Sequence, residues 1–142
     1  MKKEEFINRA VGLPWIDRAC SWKAMDCWGV LVMYFRYVYG EELPCVEGYQ
    51  TGQISITDGF AFQLSNGKWK RVENPDGDCI AFMLFDGNIA SHVGVIVDGK
   101  YALHSAGMAG YSGQVRCDRL DVFRRFHLGD IHFYRYEGCR CL

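Results

Sequence analysis

The chain has 142 residues and a mass of 16.3 kDa, which is the size of a single domain spanning residues 1–142. With 49% hydrophobic, 15% aromatic and 23% charged residues, it is neither a disordered nor a collagen-like chain. Sixteen Lys+Arg against seventeen Asp+Glu leave a net charge of −1, too weak a field to suggest a nucleic-acid partner.

Residues 2–10 read as a short helix with Phe6, Ile7 and Ala10 on one side, ended by Gly12-Leu13-Pro14, because Pro cannot continue a helix. Residues 15–25 show no clean period and read as a loop. Residues 26–40, DCWGVLVMYFRYVYG, carry the strongest signal. Asp26 is a good N-cap and Gly40 a good C-terminal stop. Between them only Arg36 is charged, so a helix here is buried on nearly every side. Its β-branched residues leave a strand as the alternative, and length and caps favour helix.

Residues 45–76 are the least legible. Ile54-Ser55-Ile56-Thr57 alternates like a strand, Gly59–Leu64 fits a helix, and Asn66-Gly67 and Asn74-Pro75-Asp76-Gly77 mark turns. Cys79–Phe85 reads as a buried strand and Asp86-Gly87-Asn88 as a turn. A hairpin follows, from His92 to Ser105. Residues 106–113 read as a Gly-rich loop, 117–126 as a helix with Leu120 and Phe123 inward, and Ile131–Tyr136 as a last strand. The expected class is α+β, with N-terminal helices packed on an antiparallel sheet of about five or six strands.

The hairpin has two registers. A two-residue type I′ turn at Asp98-Gly99 pairs Val97 with Lys100 and sets His92 and His104 on opposite faces. A three-residue turn sets His92 opposite His104, Gly94 opposite Ala102 and Ile96 opposite Lys100. It collects Val93, Val95, Tyr101 and Leu103 on the other face. Register follows burial, because a one-residue slip flips every side chain, so the second register is expected.

Seven cysteines (Cys20, Cys27, Cys45, Cys79, Cys117, Cys139, Cys141) are an odd number without regular spacing, and read as thiols of a protein made in a reducing cytosol. No CxxC pair exists, which argues against a structural zinc site, and a zinc module fails on spacing; no metal and no cofactor are expected. The start, MKKEEFINRA, lacks the apolar region of a signal peptide. No apolar run reaches the roughly 18 residues of a membrane span, so no membrane insertion is expected.

Cys27 sits at the start of the buried helix, where the helix field favours a thiolate and lowers a thiol pKa. Gly29 leaves room for approach. His92 is the candidate base, and His104 the residue that holds its ring in the useful tautomer, an arrangement of nucleophile, base and orienter. Each feature alone is commonplace: a Cys at a helix start is usually a small buried hydrophobe. Their co-occurrence carries the reading. His127 and His132 read as structural or surface residues, Cys79 as a buried structural thiol, and Cys139-Arg140-Cys141 as a frayed tail.

MDCWG followed by an apolar helix resembles the nucleophile motif of NlpC-type cell-wall cysteine peptidases, a compact bacterial branch of the papain-like fold. Gly77-Asp78 before an apolar strand resembles the family's Gly-Asp step. SHVGVIVDGKYALHSAG resembles its histidine strand and the strand after it, and Gly12-Leu13-Pro14-Trp15 the segment leading to the cysteine. The closing FRRFHLGDIHFYRY resembles the ending of members associated with bacteriophage and prophage tails. The resemblance covers about residues 10–136. It implies hydrolysis of a peptidoglycan stem-peptide amide, usually between D-glutamate and the diamino acid. Cys27 would be nucleophile, His92 general base and acid, His104 orienter, with the Cys27 N–H at the oxyanion. Trp15, Trp22, Asp26 and Ser91 are further candidates for substrate or oxyanion contacts. Many members carry a Tyr where this chain has Trp15. The resemblance also implies synthesis in a host cytoplasm, a place in the virion tail and other tail-tip proteins as partners. The alternative is a structural tail assembly protein that keeps the fold with little or no hydrolysis.

Overall fold

The computed structural model describes residues 1–44, 46–108, 111–127 and 129–139. Cys45, Arg140, Cys141 and residues 109–110 of the expected loop lie outside them. Helices α1 (Lys3–Ala10), α2 (Cys27–Tyr34), α3 (Ile56–Ser65) and α4 (Leu120–Phe126) accompany strands β1 (Trp69–Val72), β2 (Ile80–Asp86), β3 (Ile89–Val97), β4 (Tyr101–Met108), β5 (Tyr111–Arg119) and β6 (Asp130–Tyr136). The strands form one antiparallel sheet in the order β1-β6-β2-β3-β4-β5. The expected α+β class and strand number are found.

The sheet carries a core on each face. On one, the buried side chains of α2 (Val30, Leu31, Tyr34) and Met25 pack with Val93, Val95 and Leu103. On the other, Leu120 and Phe123 of α4 pack with Phe82, Ile96 and Ala102. α2 starts where the sequence places it: Asp26 Oδ1 accepts the Gly29 N–H at 2.6 Å. Past Tyr34 the helix widens into a π-helical stretch, Phe35–Tyr39, and stops at Gly40, whose φ of +70° is the left-handed conformation that glycine adopts without strain.

Four expectations fail locally, one of them the helix start at 117, since residues 117–119 end β5 and α4 begins at Leu120. Residues 54–57 do not form a strand. Ser55 caps α3, its Oγ accepting the Asp58 N–H at 3.1 Å, so the helix cap overrides the alternating pattern. β1 is present where no strand was expected. Residues 106–108 and 111–113 belong to β4 and β5 rather than to a loop; small residues suit strands whose backbones approach another segment closely. Gly107 shows this, since a Cβ there would stand 2.6 Å from the Trp15 ring.

The hairpin keeps the expected faces but not the expected pairing. Val97 pairs with Tyr101, Ile96 with Ala102 and Val95 with Leu103. Asp98 (φ +55°) and Gly99 (φ +66°) are both left-handed, and Lys100 N–H donates to Val97 O at 3.1 Å. The turn is therefore the tight turn of the rejected register, and Lys100 is the extra residue that restores the parity of the chosen one.

Cys79 and Cys139 are not separate thiols. They form a disulfide across 60 residues, correcting the isolated buried thiol and, for Cys139, the frayed tail. It ties the start of β2 to the chain following β6. Closing a loop of that length stabilises a fold by about 4 kcal/mol in the chain-entropy account. Cys139→Ala is expected to lower the urea-unfolding free energy by up to that amount without reductant, and to leave it nearly unchanged with reductant.

Candidate active site

The strands that carry the two histidines pair briefly and then part. β3 and β4 are registered only over Val95–Val97 and Tyr101–Leu103. Beyond that, β3 continues beside β2 and β4 beside β5. The segment leading into α2 contacts both strands at the parting. Ser105 Oγ of β4 donates to Met25 O at 2.6 Å, and the Val93 N–H of β3 points at the Cys27 thiol. This segment is further anchored where Met25 N–H donates to Pro14 O and Asp26 N–H to Ala19 O. The Ala19 carbonyl fills the space beside Gly29. The room expected there for an approaching substrate is taken by the chain itself, which is why position 29 bears no side chain.

Along β3, Val93 and Val95 belong to the core on the α2 side, whereas His92 lies on the face that α4 covers. His92 Nε2 and His104 Nδ1 are 3.0 Å apart. His104 is 1% exposed, and its Nε2 is 2.8 Å from Asp118 Oδ2. Asp118 pairs in turn with the Arg116 guanidinium at 3.1 Å. Continuing the hairpin register sets His104 across from Gly94. A Cβ at Gly94 would stand 2.6 Å from Leu103 O and would drive into the Phe82 ring; its absence leaves room for the two imidazoles to meet diagonally. Phe82 lies near both rings, at centroid distances of 5.9 and 6.2 Å.

Among the described residues no hydrogen bond joins Cys27 Sγ to the His92 ring. The link runs through the main chain: the thiol sits at the N–H of Val93, the residue next to His92. His92 Nδ1, the ring nitrogen nearer that main chain, makes no hydrogen bond to a described residue.

The expected low thiol pKa is corrected. Burial, with the Asp26 carboxylate second, pushes the Cys27 thiol up to about 12, against the N–H groups of Val93, Trp28 and Cys27 itself. Desolvation of the charged form outweighs the helix field. Burial likewise lowers His92 to about 3, with His104 and His127 adding to the effect. Thiol and imidazole are both neutral at rest.

The other candidates fall in different places. Asp26 is buried and does more than cap. Its Oδ2 accepts from Tyr49 Oη and from the Arg18 N–H, each at 3.0 Å. The Arg18 guanidinium donates to Tyr49 O and Ile54 O at 2.6 and 2.9 Å, fastening residues 49–54 beside the start of α2. Trp15 is half-buried against Gly107, its main-chain N–H donating to Gly113 O. Trp22 packs with Phe6 and Tyr37, and the Arg9 guanidinium lies 4.0 Å over its ring. Those contacts fasten α1 to the helix after it through a partly exposed Trp22. Ser91 is exposed, its Oγ donating to Leu84 O at 3.3 Å where the β2–β3 register shifts.

Sequence reading missed Asp118, Tyr49 and His127. His127 stacks on Phe123 at 4.1 Å and lies parallel to His92 at 6.2 Å, so it joins the histidine cluster. The available signal for Asp118 was the spacing Arg116-x-Asp118 on a strand facing His104. No group of His, Cys, Asp and Glu among the described residues is arranged to hold a metal ion.

Burial lowers all four imidazoles, so below the ordinary 6.5 the unfolded chain takes up protons that the folded chain refuses. Stability therefore falls as pH drops from 6.5 towards 3. Above 9, the ordinary thiol value, the unfolded chain loses a proton that Cys27 keeps until about 12, and stability falls again. Thermal unfolding across pH is expected to show a plateau between those limits, with His92→Gln making the acid side shallower.

The NlpC/P60 family matches residues 16–122. A crystal structure of the NlpC/p60 domain of the peptidoglycan hydrolase SagA is similar in fold, with a TM-score of 0.57 at 16% identity, over 91% of this chain and 92% of that one. No curated protein matches the chain.

Proposed function

We propose, from the premise that this chain belongs to the NlpC/P60 family and is a cysteine peptidase of the cell-wall type, that Cys27 is its nucleophile, His92 its general base and acid, and His104 the orienter. The observation that carries the assignment is the thiol at the start of a capped helix, held at the N–H next to a histidine that hydrogen-bonds a second histidine.

Because thiol and imidazole are both neutral at rest, attack and proton transfer are coupled. Cys27 Sγ adds to the carbonyl carbon while its proton passes to His92 Nδ1. The Cys27 N–H stabilises the tetrahedral oxyanion, a donor of the kind worth roughly 3 kcal/mol. The C–N bond then breaks and the leaving amine takes the proton from His92. Water, deprotonated by His92, hydrolyses the thioester, releases the carboxylate and restores the thiol.

The substrate is a peptidoglycan stem peptide, and the bond is the amide between D-glutamate and the diamino acid. MDCWG, the Gly77-Asp78 step and the two histidine strands support this by their likeness to the family. The chain acts at a bacteriophage tail tip, among other tail-tip proteins, to open the wall. The likeness of FRRFHLGDIHFYRY to tail-associated members supports that role.

Mass spectrometry of purified muropeptides tests the reading. Wild type is expected to cleave them, with fragment masses that name the bond. Cys27→Ala should abolish cleavage with the fold intact, and His92→Ala should nearly do so. Equal cleavage by wild type and Cys27→Ala would refute the mechanism. No cleavage by either would favour an assembly role, and particles carrying Cys27→Ala would then be compared with wild type for wall penetration.

A further inference from the structure

The histidine pair does not end at His104, and what lies beyond it determines where the protons sit. His104 is 1% exposed and uses both ring nitrogens, Nδ1 towards His92 Nε2 at 3.0 Å and Nε2 towards Asp118 Oδ2 at 2.8 Å. A neutral imidazole has one N–H and one lone pair, so these two contacts are not independent.

We propose that Asp118 is a positioning residue which, acting through His104, fixes the proton of His92 on Nε2 and leaves Nδ1 bare. The inference rests on the assignment of His92 as the general base. An ionised carboxylate only accepts, so His104 Nε2 carries the hydrogen and donates it to Asp118. His104 Nδ1 is then a lone pair, and the bond across 3.0 Å requires the hydrogen on His92 Nε2. Nδ1 of His92, the nitrogen beside the main chain that holds the thiol, is left as the acceptor. The opposite tautomers would set a lone pair of His104 against the carboxylate and place a hydrogen on His92 where a base needs none.

The surroundings keep this arrangement in force. Burial opposes the charge on Asp118, but Arg116 and His104 together hold its carboxyl below the usual range. Burial lowers His104, so a doubly protonated ring is disfavoured. The groups around the His104 ring are few. β3 contributes His92, β5 contributes Asp118 and Arg116, and His127 follows α4 at 6.0 Å; the rings of Phe82 and Phe123 are apolar. Asp118 is the carboxylate among them. The β4–β5 register, with Ala102 opposite Asp118 and His104 opposite Arg116, sets acid and base pairs diagonally on one face.

The test compares wild type with Asp118→Asn and Asp118→Glu, using ¹⁵N NMR of the histidine rings at neutral pH and muropeptide hydrolysis. In wild type, His92 is expected as the Nε2–H form. Asp118→Asn, whose amide N–H satisfies a bare His104 Nε2, should move His92 towards the Nδ1–H form and lower kcat about 10- to 100-fold with KM little changed. Asp118→Glu should restore the wild-type tautomer in part. An Nδ1–H form in wild type, or an unaltered His92 tautomer in Asp118→Asn, would overturn the proposal. If Asp118→Asn does not fold, the wild-type and Asp118→Glu spectra decide it. The spectra need no substrate, so a wild type that hydrolyses nothing would count against the peptidase reading alone.

Discussion

The site depends on the place where β3 and β4 stop pairing. A sheet N–H that loses its strand partner needs another acceptor if it stays buried. At the parting the Val93 N–H faces the thiol of Cys27, and on the facing strand Ser105 turns its hydroxyl to Met25 O. The parting therefore recruits the start of α2 into the sheet. The same short pairing brings the other face of the strands together over Gly94, where the two imidazoles meet. One irregularity gathers the Cys27 thiol and the His92 ring about a single stretch of β3.

Burial governs the chemistry of this arrangement. A helix start and three N–H groups favour a thiolate, yet desolvation and the neighbouring Asp26 keep the proton on sulfur. The imidazoles stay neutral for the same reason. A resting neutral pair leaves neither group charged in the folded chain. It also makes the tautomer of His92 matter more than its charge, and the tautomer is determined from the protein surface inwards through Asp118 and His104. Asp26 has a separate duty: held by Tyr49 and the Arg18 main chain, it joins the helix start to the 49–54 segment.

Much of this was legible in the sequence where the signal is local. Asp26 and Gly40 bracket α2 because caps act within one turn. The shared face of His92 and His104 follows from parity and the apolar residues opposite. What failed depended on tertiary contact. Lys100 shifts the pairing because Asp98 and Gly99 both turn left-handed. β5 was hidden by a Gly-rich approach that looks like a loop until Trp15 is seen against Gly107. Asp118, Tyr49 and the Cys79–Cys139 bond have partners 14, 23 and 60 residues away, beyond any periodic pattern.

The central claim is that the Cys27 thiol and the His92 imidazole work on one substrate carbonyl. 1,3-Dibromoacetone, a short three-carbon bis-electrophile, tests this without any assumption about substrate, because it bridges a thiol to an imidazole only when both lie within its reach. Treatment followed by peptide mapping is expected to give one cross-linked pair, Cys27 to His92. Alkylation of Cys27 with no bridge to His92, or a bridge from Cys27 to His127 or His132, would contradict the account.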